Sequence, residues 1–250
     1  MKLRTLTASL ALAAGLGIAP ASQALDLGNL AGGLVNLAKA ATLSDDDAKE
    51  LAFDAAQHMD SQNKIAPPNS PYAKRLARIV KGLNQEDGLA LNFKVYLTKE
   101  VNAFAMANGT VRVYAGLLDA MTDDEVRFVI GHEVGHVKLG HSKKAMQVAY
   151  TASGVRGLAA ASGNQAVAQL SASAIGGFAE ALVNAQFSQS QENEADTYSV
   201  GFMKRHNYPP AAAVSALRKL QALGDGASIL SSHPASSERA AKVEGEVAKL

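Results

Sequence analysis

The chain has 250 residues, 48% of them hydrophobic, with no Cys, no Trp and a formal net charge of +1. That length supports one domain with a sizeable core, and the near-neutral charge gives no support for nucleic acid as a partner. Without Cys there is no disulfide and no residue for lipid attachment, so an exported chain would rely on its core, or on a metal, for stability.

The N-terminus carries an export signal. Lys2 and Arg4 form a positive n-region, Leu6 to Ile18 is a short apolar stretch, and Pro20 precedes an A-x-A-like site at Ser22-Gln23-Ala24. The apolar run is short against the roughly 20 residues of a membrane span. Residues 1–24 therefore read as a cleaved signal peptide rather than an anchor. The implied address is the periplasm, with secretion as the alternative. Losing Lys2 and Arg4 turns the net charge of +1 to about −1. Residues 25–43 form a Gly/Ala/Leu-rich leader, a flexible tether or a loosely docked helix. Residues 44–250 read as a single domain.

Ser44 to Asp47 opens a helix with acids in its first turn, followed by Leu51, Ala55, His58 and Met59. His58 lacks a partner pattern and reads as surface or core edge. Pro67-Pro68-Asn69-Ser70-Pro71 breaks the chain. A second helix is predicted from about Tyr72 to Leu83, with Leu76, Ile79, Val80 and Leu83 as its buried stripe. Strand-like segments follow at Leu91–Leu97, Asn102–Ala107 and Thr110–Tyr114. Asn108-Gly109 between the last two is a type I′ hairpin signal. The expectation is an α+β, mostly helical fold with a small, mainly antiparallel sheet just before a long helix.

That helix carries the chemistry. Thr122-Asp123-Asp124-Glu125 has the form of a capping box, with acids where the helix dipole is positive. Val126, Val129, Ile130, Val134 and Val137 give an apolar face, Lys138 falls in the last turn, and Gly140 can act as a left-handed stop. Gly131 and Gly135 each cost a helix about 1 kcal/mol relative to Ala, and their spacing points to another backbone packed closely on that side. Within the helix lies His132-Glu133-Val134-Gly135-His136, an H-E-x-x-H pattern. Four residues advance a helix by about 400°, so the two imidazoles stand on one face roughly 6 Å apart. They can hold two corners of a tetrahedral zinc site, with Glu133 close enough to act on water there.

Residues 145–187 contain only Arg156 and Glu180 as charges and are rich in Ala, Ser and Gly. A buried helical pair, a mobile lid and a membrane-contacting patch are the competing readings. Ser188 to Asp196 opens a further helix ending near His206-Asn207. Two more helices, roughly 210–223 and 235–249, flank Ser232-His233-Pro234, with Arg239 five residues after Pro234.

A catalytic zinc takes three protein ligands and keeps one position open. His141 is a poor third ligand, because the metzincin spacing is one residue off; it reads as a helix cap or as solvent-facing. Glu192 is a better one. Asp196 lies one turn on, placed to hydrogen-bond the outer nitrogen of a ligand histidine. An ordinary acidic helix start is the alternative reading of Glu192 and Asp196.

The H-E-x-x-H at 132–136, followed by Glu192-Asn193-Glu194-Ala195-Asp196 opening a later helix, resembles the HtpX-like zinc peptidases. This gluzincin family includes the CAAX prenyl endopeptidases and the OMA-type quality-control proteases. The likeness extends to Asn102-Ala103-Phe104-Ala105, Gly116-Leu117-Leu118, His233-Pro234 and Arg239, over about residues 45–245. It is greatest to the soluble periplasmic branch of BepA-like and LoiP-like proteins. The chain lacks the lipidation Cys of LoiP-like lipoproteins, the transmembrane helices of the HtpX and prenyl endopeptidase proteins, and the helical repeats of BepA-like proteins. The resemblance implies a zincin-like domain and one Zn2+ per chain. Its ligands would be His132, His136 and Glu192, its base Glu133, and Asp196 the support behind a ligand. It implies that Asn102, Ala103, Phe104 and Ala105 form a strand that pairs with extended substrate. It also implies that His233 can approach the zinc and block it. Arg239 would steady a substrate carbonyl or pair with a carboxylate.

The implied activity is zinc endopeptidase action on unfolded or misassembled envelope proteins, with water activated by zinc and Glu133. A periplasmic chaperone or assembly factor with a plugged or mainly structural zinc is the alternative, and an exopeptidase a third reading. A peripheral membrane or outer-membrane assembly contact stays open, as does the oligomeric state.

Overall fold

The computed structural model describes residues 27–161, 177, 179, 181, 183–224, 227–234 and 237–250. The signal peptide read at 1–24 lies outside them. In chain order the strands are β1 (Gln85–Glu86), β2 (Leu89–Ala90), β3 (Asn92–Tyr96), β4 (Ala103–Ala105) and β5 (Thr110–Tyr114). β1 and β2 form a small antiparallel hairpin. The larger sheet has the order β3-β5-β4, with β4 antiparallel to β5 but β3 parallel to it. The sheet before the metal helix is thus mixed where a mainly antiparallel one was expected: its longest ladder, the five-residue β3–β5 pairing, is parallel. The chain after β3 makes no hairpin to β4. It passes to the far side of the sheet, enters as β4, and returns between β4 and β3.

The β4–β5 hairpin forms, but not through a type I′ turn. Gly109 has φ +81°, whereas Asn108 is not left-handed. Gly109 N–H donates to the Met106 carbonyl at 2.9 Å and Met106 N–H to the Thr110 carbonyl at 2.9 Å. This is the pattern of a type I turn closed by a left-handed residue. A Cβ on Gly109 would lie 2.0 Å from the Ala90 carbonyl oxygen, so packing as well as φ demands glycine.

β5 is central and buried along its whole length. Val111 and Val113 join the main core, while Tyr114 meets Tyr96 and Phe104 in a smaller one. Arg112 is buried beside them. Its Nε and Nη2 donate to Asp60 at 2.8 and 3.0 Å, and Nη1 donates to Asn92 Oδ1 at 3.0 Å.

The helices before the site are α1 (Leu27–Thr42), α2 (Asp45–Gln62), α3 (Pro71–Ile79) and α4 (Ala115–Ala120). α1 turns the leader into a helix lying along α6 (His141–Ala161), where Asn36 Nδ2 donates to Ser153 Oγ at 3.2 Å. α2 starts at the expected capping box of Ser44 and Asp47. α3 ends at Ile79, before the predicted Leu83, although Leu83 is still buried. α4 follows β5 without a break and was not legible in the sequence. The low-charge segment begins as α6; residues 162–176 lie outside the described ones. Among the described residues, no helix is long and apolar enough to cross a membrane.

The site is framed by α5 (Asp123–Lys138), α7 (Gln189–Arg205), α8 (Ala211–Leu223), the short α9 (Ile229–Ser232) and α10 (Ser237–Val247). α7 and α8 pack on α5, and α10 packs on both α7 and α8. The N-terminus of α5 is fixed by its capping box: Thr122 N–H donates to Glu125 Oε2 at 2.8 Å and Glu125 N–H to Thr122 Oγ1 at 3.4 Å. The same carboxylate accepts from Lys219 and Ser215 of α8, each at 2.7 Å. One buried glutamate therefore caps α5 and docks its neighbour.

Candidate metal centre

α5 and α7 meet along the two glycines of α5. A Cβ on Gly131 would stand 2.6 Å from both Phe202 Cδ1 and Ser199 Oγ; on Gly135 it would stand 2.9 Å from Tyr198 Cδ1. Ser199 Oγ donates to the Phe128 carbonyl at 2.6 Å and locks the register. α7 opens with its own capping box between Ser188 and Gln191. From that start Glu192 and Asp196 share one helix face, and each is 1% exposed, turned towards α5.

Four metal-ligand side chains converge there: His132, His136, Glu192 and His233, with one donor atom from each lying within 4.8 Å of the others. His132 Nε2 is 3.0 Å from His136 Nε2 and 3.2 Å from His233 Nδ1. Glu192 Oε1 is 3.3 Å from His136 Nε2 and 3.0 Å from His233 Nδ1, and Glu192 Oε2 is 3.6 Å from His132 Nε2. Zinc–nitrogen bonds of about 2.0–2.1 Å in a tetrahedron place ligand atoms about 3.3 Å apart. The observed separations bracket that value.

The chemistry of the donors fits as well. His132 Nδ1 lies 2.9 Å from Asp196 Oδ1. An ionised carboxylate only accepts, so that nitrogen carries the proton and Nε2 keeps its lone pair. His132 Nε2 thus presents a lone pair towards His136 Nε2 at 3.0 Å, where a cation could take it up. Among the described residues, Glu133 Oε1 is a buried side-chain atom without a hydrogen bond.

The charge balance follows burial and pairing. Burial pushes the His136 pKa well below its usual value and keeps the ring neutral, the form that binds metal. Burial also acts on Glu192, but its contacts with the His136 and His233 rings outweigh it and hold the carboxyl below the usual range. For Asp196, burial is outweighed by Arg239 and then His132, which bring it to about 2. Burial raises Glu133, opposed by His233 beside it.

His233 caps the end of α9. Its Nε2 is 3.5 Å from Glu133 Oε1, so this ring touches both the expected base and the expected ligands. Ile229 N–H donates to the Val101 carbonyl at 3.1 Å and ties α9 to the segment entering β4. Arg239, from α10, is buried behind the ligands. It donates Nε and Nη2 to Asp196 at 2.8 Å each, and Nη1 lies 2.5 Å from Glu192 Oε2. Of its two sequence readings, pairing with carboxylates is the one the geometry displays.

An apolar cleft opens beside Glu133, His136 and His233, with Phe104, Met106, Met146 and Phe187 among its walls. β4 is the sheet edge at this cleft. Tyr114 N–H donates to the Asn102 carbonyl and Met106 N–H to the Thr110 carbonyl. By the alternation of an antiparallel ladder, the backbone groups of Ala103 and Ala105 point off the edge. Ala103 N–H donates to Asn102 Oδ1 at 2.8 Å.

Sequence reasoning missed two groups. His141 neither caps α5 nor faces solvent: it is buried, with Nδ1 3.1 Å from His136 Nδ1. Gly140, at φ +77°, turns the chain back so that His141 meets His136. Phe187 stacks on the His136 ring, with centroids 3.9 Å apart. Nothing in the local sequence marks that contact.

A helix-borne His-Glu-x-x-His, joined by a glutamate from a neighbouring helix beside an open sheet edge, defines the site of a metalloprotease. The profile of peptidase family M48 matches residues 71–247. The chain is 47% identical over 243 residues to the metalloprotease LoiP of Escherichia coli K12, covering 96% of this chain and 95% of that one. It is 44% identical over 217 residues to the metalloprotease YcaL of the same organism, covering 86% and 85%. It is 28% identical over 218 residues to the beta-barrel assembly-enhancing protease of Yersinia pestis, covering 82% of this chain and 42% of that protein. The chain belongs to peptidase family M48.

Proposed function

We propose that this metalloprotease is a zinc-dependent endopeptidase that hydrolyses unfolded or misassembled proteins of the cell envelope. The observation that carries the reading is the placement of Glu133. Its carboxylate is buried at the cleft, with Oε1 free of hydrogen bonds and beside the four-donor cluster. His132, His136 and Glu192 would hold the zinc, one per chain. When bound, zinc lowers the pKa of a water towards about 7 and polarises a carbonyl.

Glu133 takes the proton from water and passes it to the leaving amine. Its raised pKa suits a group that must both accept and return that proton. General acid–base help of this kind contributes about 10²–10⁴-fold. The outward groups of Ala103 and Ala105 offer an extended peptide a strand to pair with. Accepting it requires Ala103 N–H to leave Asn102 Oδ1. Asp196 holds the His132 ring, and Arg239 holds Asp196.

The export signal at residues 1–24 supports a periplasmic location, and the name of the Yersinia relative supports an envelope substrate. An internally quenched peptide of about ten residues tests the endopeptidase reading, because an extended strand of that length reaches well past the site on both sides. Wild type should cleave it and Glu133→Gln should not. Cleavage of dipeptides alone would replace the reading with an exopeptidase.

One observation favours a second reading. His233 Nδ1 sits at the corner that water would take, 3.0 Å from Glu192 Oε1 and 3.2 Å from His132 Nε2. The chain would then be self-inhibited, or act as an assembly factor with a plugged zinc.

A further inference from the structure

We propose that His141 and Glu194 are positioning residues for His136, forming a relay that fixes which nitrogen of that ring faces the metal. The inference rests on the zinc reading above. His136 Nδ1 lies 3.1 Å from His141 Nδ1, and His141 Nε2 lies 3.2 Å from Glu194 Oε2. Ser190 Oγ donates to Glu194 Oε1 at 2.9 Å and aims that carboxylate.

Only one proton fits between two facing Nδ1 atoms. The carboxylate at the outer end decides which ring owns it. Glu194 only accepts, so a His141 ring with a single proton donates it from Nε2 and turns its Nδ1 lone pair to His136. His136 must then donate from Nδ1, which leaves its Nε2 lone pair pointing at Glu192 and His132. Phe187, stacked 3.9 Å from the His136 centroid, limits rotation of the ring about this axis.

The two ligand histidines are thus oriented by different means. His132 leans on Asp196, a buried carboxylate held by Arg239. His136 leans on another histidine, whose own anchor is 54% exposed. The relay runs from the metal site to the surface within a few residues, and neither His141 nor Glu194 needs to touch substrate.

The test is zinc affinity by chelator competition on the full mature chain. It is paired with ring-nitrogen NMR of the zinc-free protein. His141→Leu, which fills the space without an acceptor, should weaken zinc by about 10- to 100-fold, the usual cost of losing such a partner. His141→Asn, whose Oδ1 can replace Nδ1, should recover most of that loss. Glu194→Ala alters only a surface side chain. It should give a smaller loss with an unchanged melting temperature, and a mixed His136 tautomer where wild type shows Nδ1–H. Wild-type affinity in His141→Leu, or equal loss in His141→Leu and His141→Asn, would overturn the relay. No zinc in wild type would overturn the zinc reading and the relay with it.

Discussion

Arg239 and Asp196 meet as a two-bond fork, Nε to Oδ2 and Nη2 to Oδ1, each 2.8 Å and closed off from solvent. Asp196 Oδ1 also takes the His132 Nδ1 contact at 2.9 Å, so α10 is coupled to the metal ligands through one carboxylate. Removing one member of a buried pair costs about 3–5 kcal/mol, because the other charge is stranded. Arg239→Ala should therefore lower the urea midpoint and weaken zinc together. A stable protein with normal zinc affinity would show that the fork does not hold His132.

The glycine contacts predict an order of damage. Alanine is the better helix former by about 1 kcal/mol, yet overpacking a fitted core costs about 1–3 kcal/mol. At Gly131 the new methyl meets Phe202 and Ser199, both buried and fixed. At Gly135 it meets Tyr198 Cδ1 at 2.9 Å, a wider contact than the 2.6 Å at Gly131. Gly131→Ala should destabilise the protein and loosen zinc by displacing α7; Gly135→Ala should do less. Thermal melts of both variants, with and without zinc, would check the ranking.

Acid stability should depend on Asp60. Burial pushes its pKa up, but hydrogen bonds from Arg112, Lys94 and Tyr96 outweigh that and bring it from 3.8 to about 2. A lowered folded-state value stabilises the fold above the unfolded value. That contribution is complete above about pH 4 and disappears as pH falls towards 2. On zinc-free protein, Asp60→Asn should melt lower at neutral pH and lose less stability between about pH 4 and pH 2. Parallel melting curves for variant and wild type across that window would contradict the pairing.

What could be read in advance follows the range of each interaction. The metal helix was legible because its cap, apolar face and i, i+4 histidines are all local. Glu192 was one candidate among acidic helix starts until the resemblance singled it out; its burial against α5 is a tertiary fact. His141 was misread: Gly140 was legible as a left-handed stop, but nothing local shows that the turn brings His141 against His136. Asn108-Gly109 marked the hairpin but not its turn type, since the same dipeptide serves both. α4 is only six residues long, too short for periodicity to register. The parallel β3–β5 pairing depends on strand order, which no single segment encodes.

His233 is the residue whose removal separates the two functional readings. If it occupies the position needed by water, His233→Ala should keep zinc on His132, His136 and Glu192 and raise turnover of the quenched peptide. Turnover that falls with zinc retained would make His233 a participant in hydrolysis and not a plug.

The central claim is a zinc-loaded site worked by Glu133. Its most direct test is metal content by mass spectrometry on the purified mature chain, read beside casein cleavage, for wild type and Glu133→Gln. The account predicts about one zinc per chain in both, the stoichiometry of a single site with three protein ligands, and cleavage only in wild type. Absence of zinc from both, or cleavage undiminished in Glu133→Gln, would contradict it.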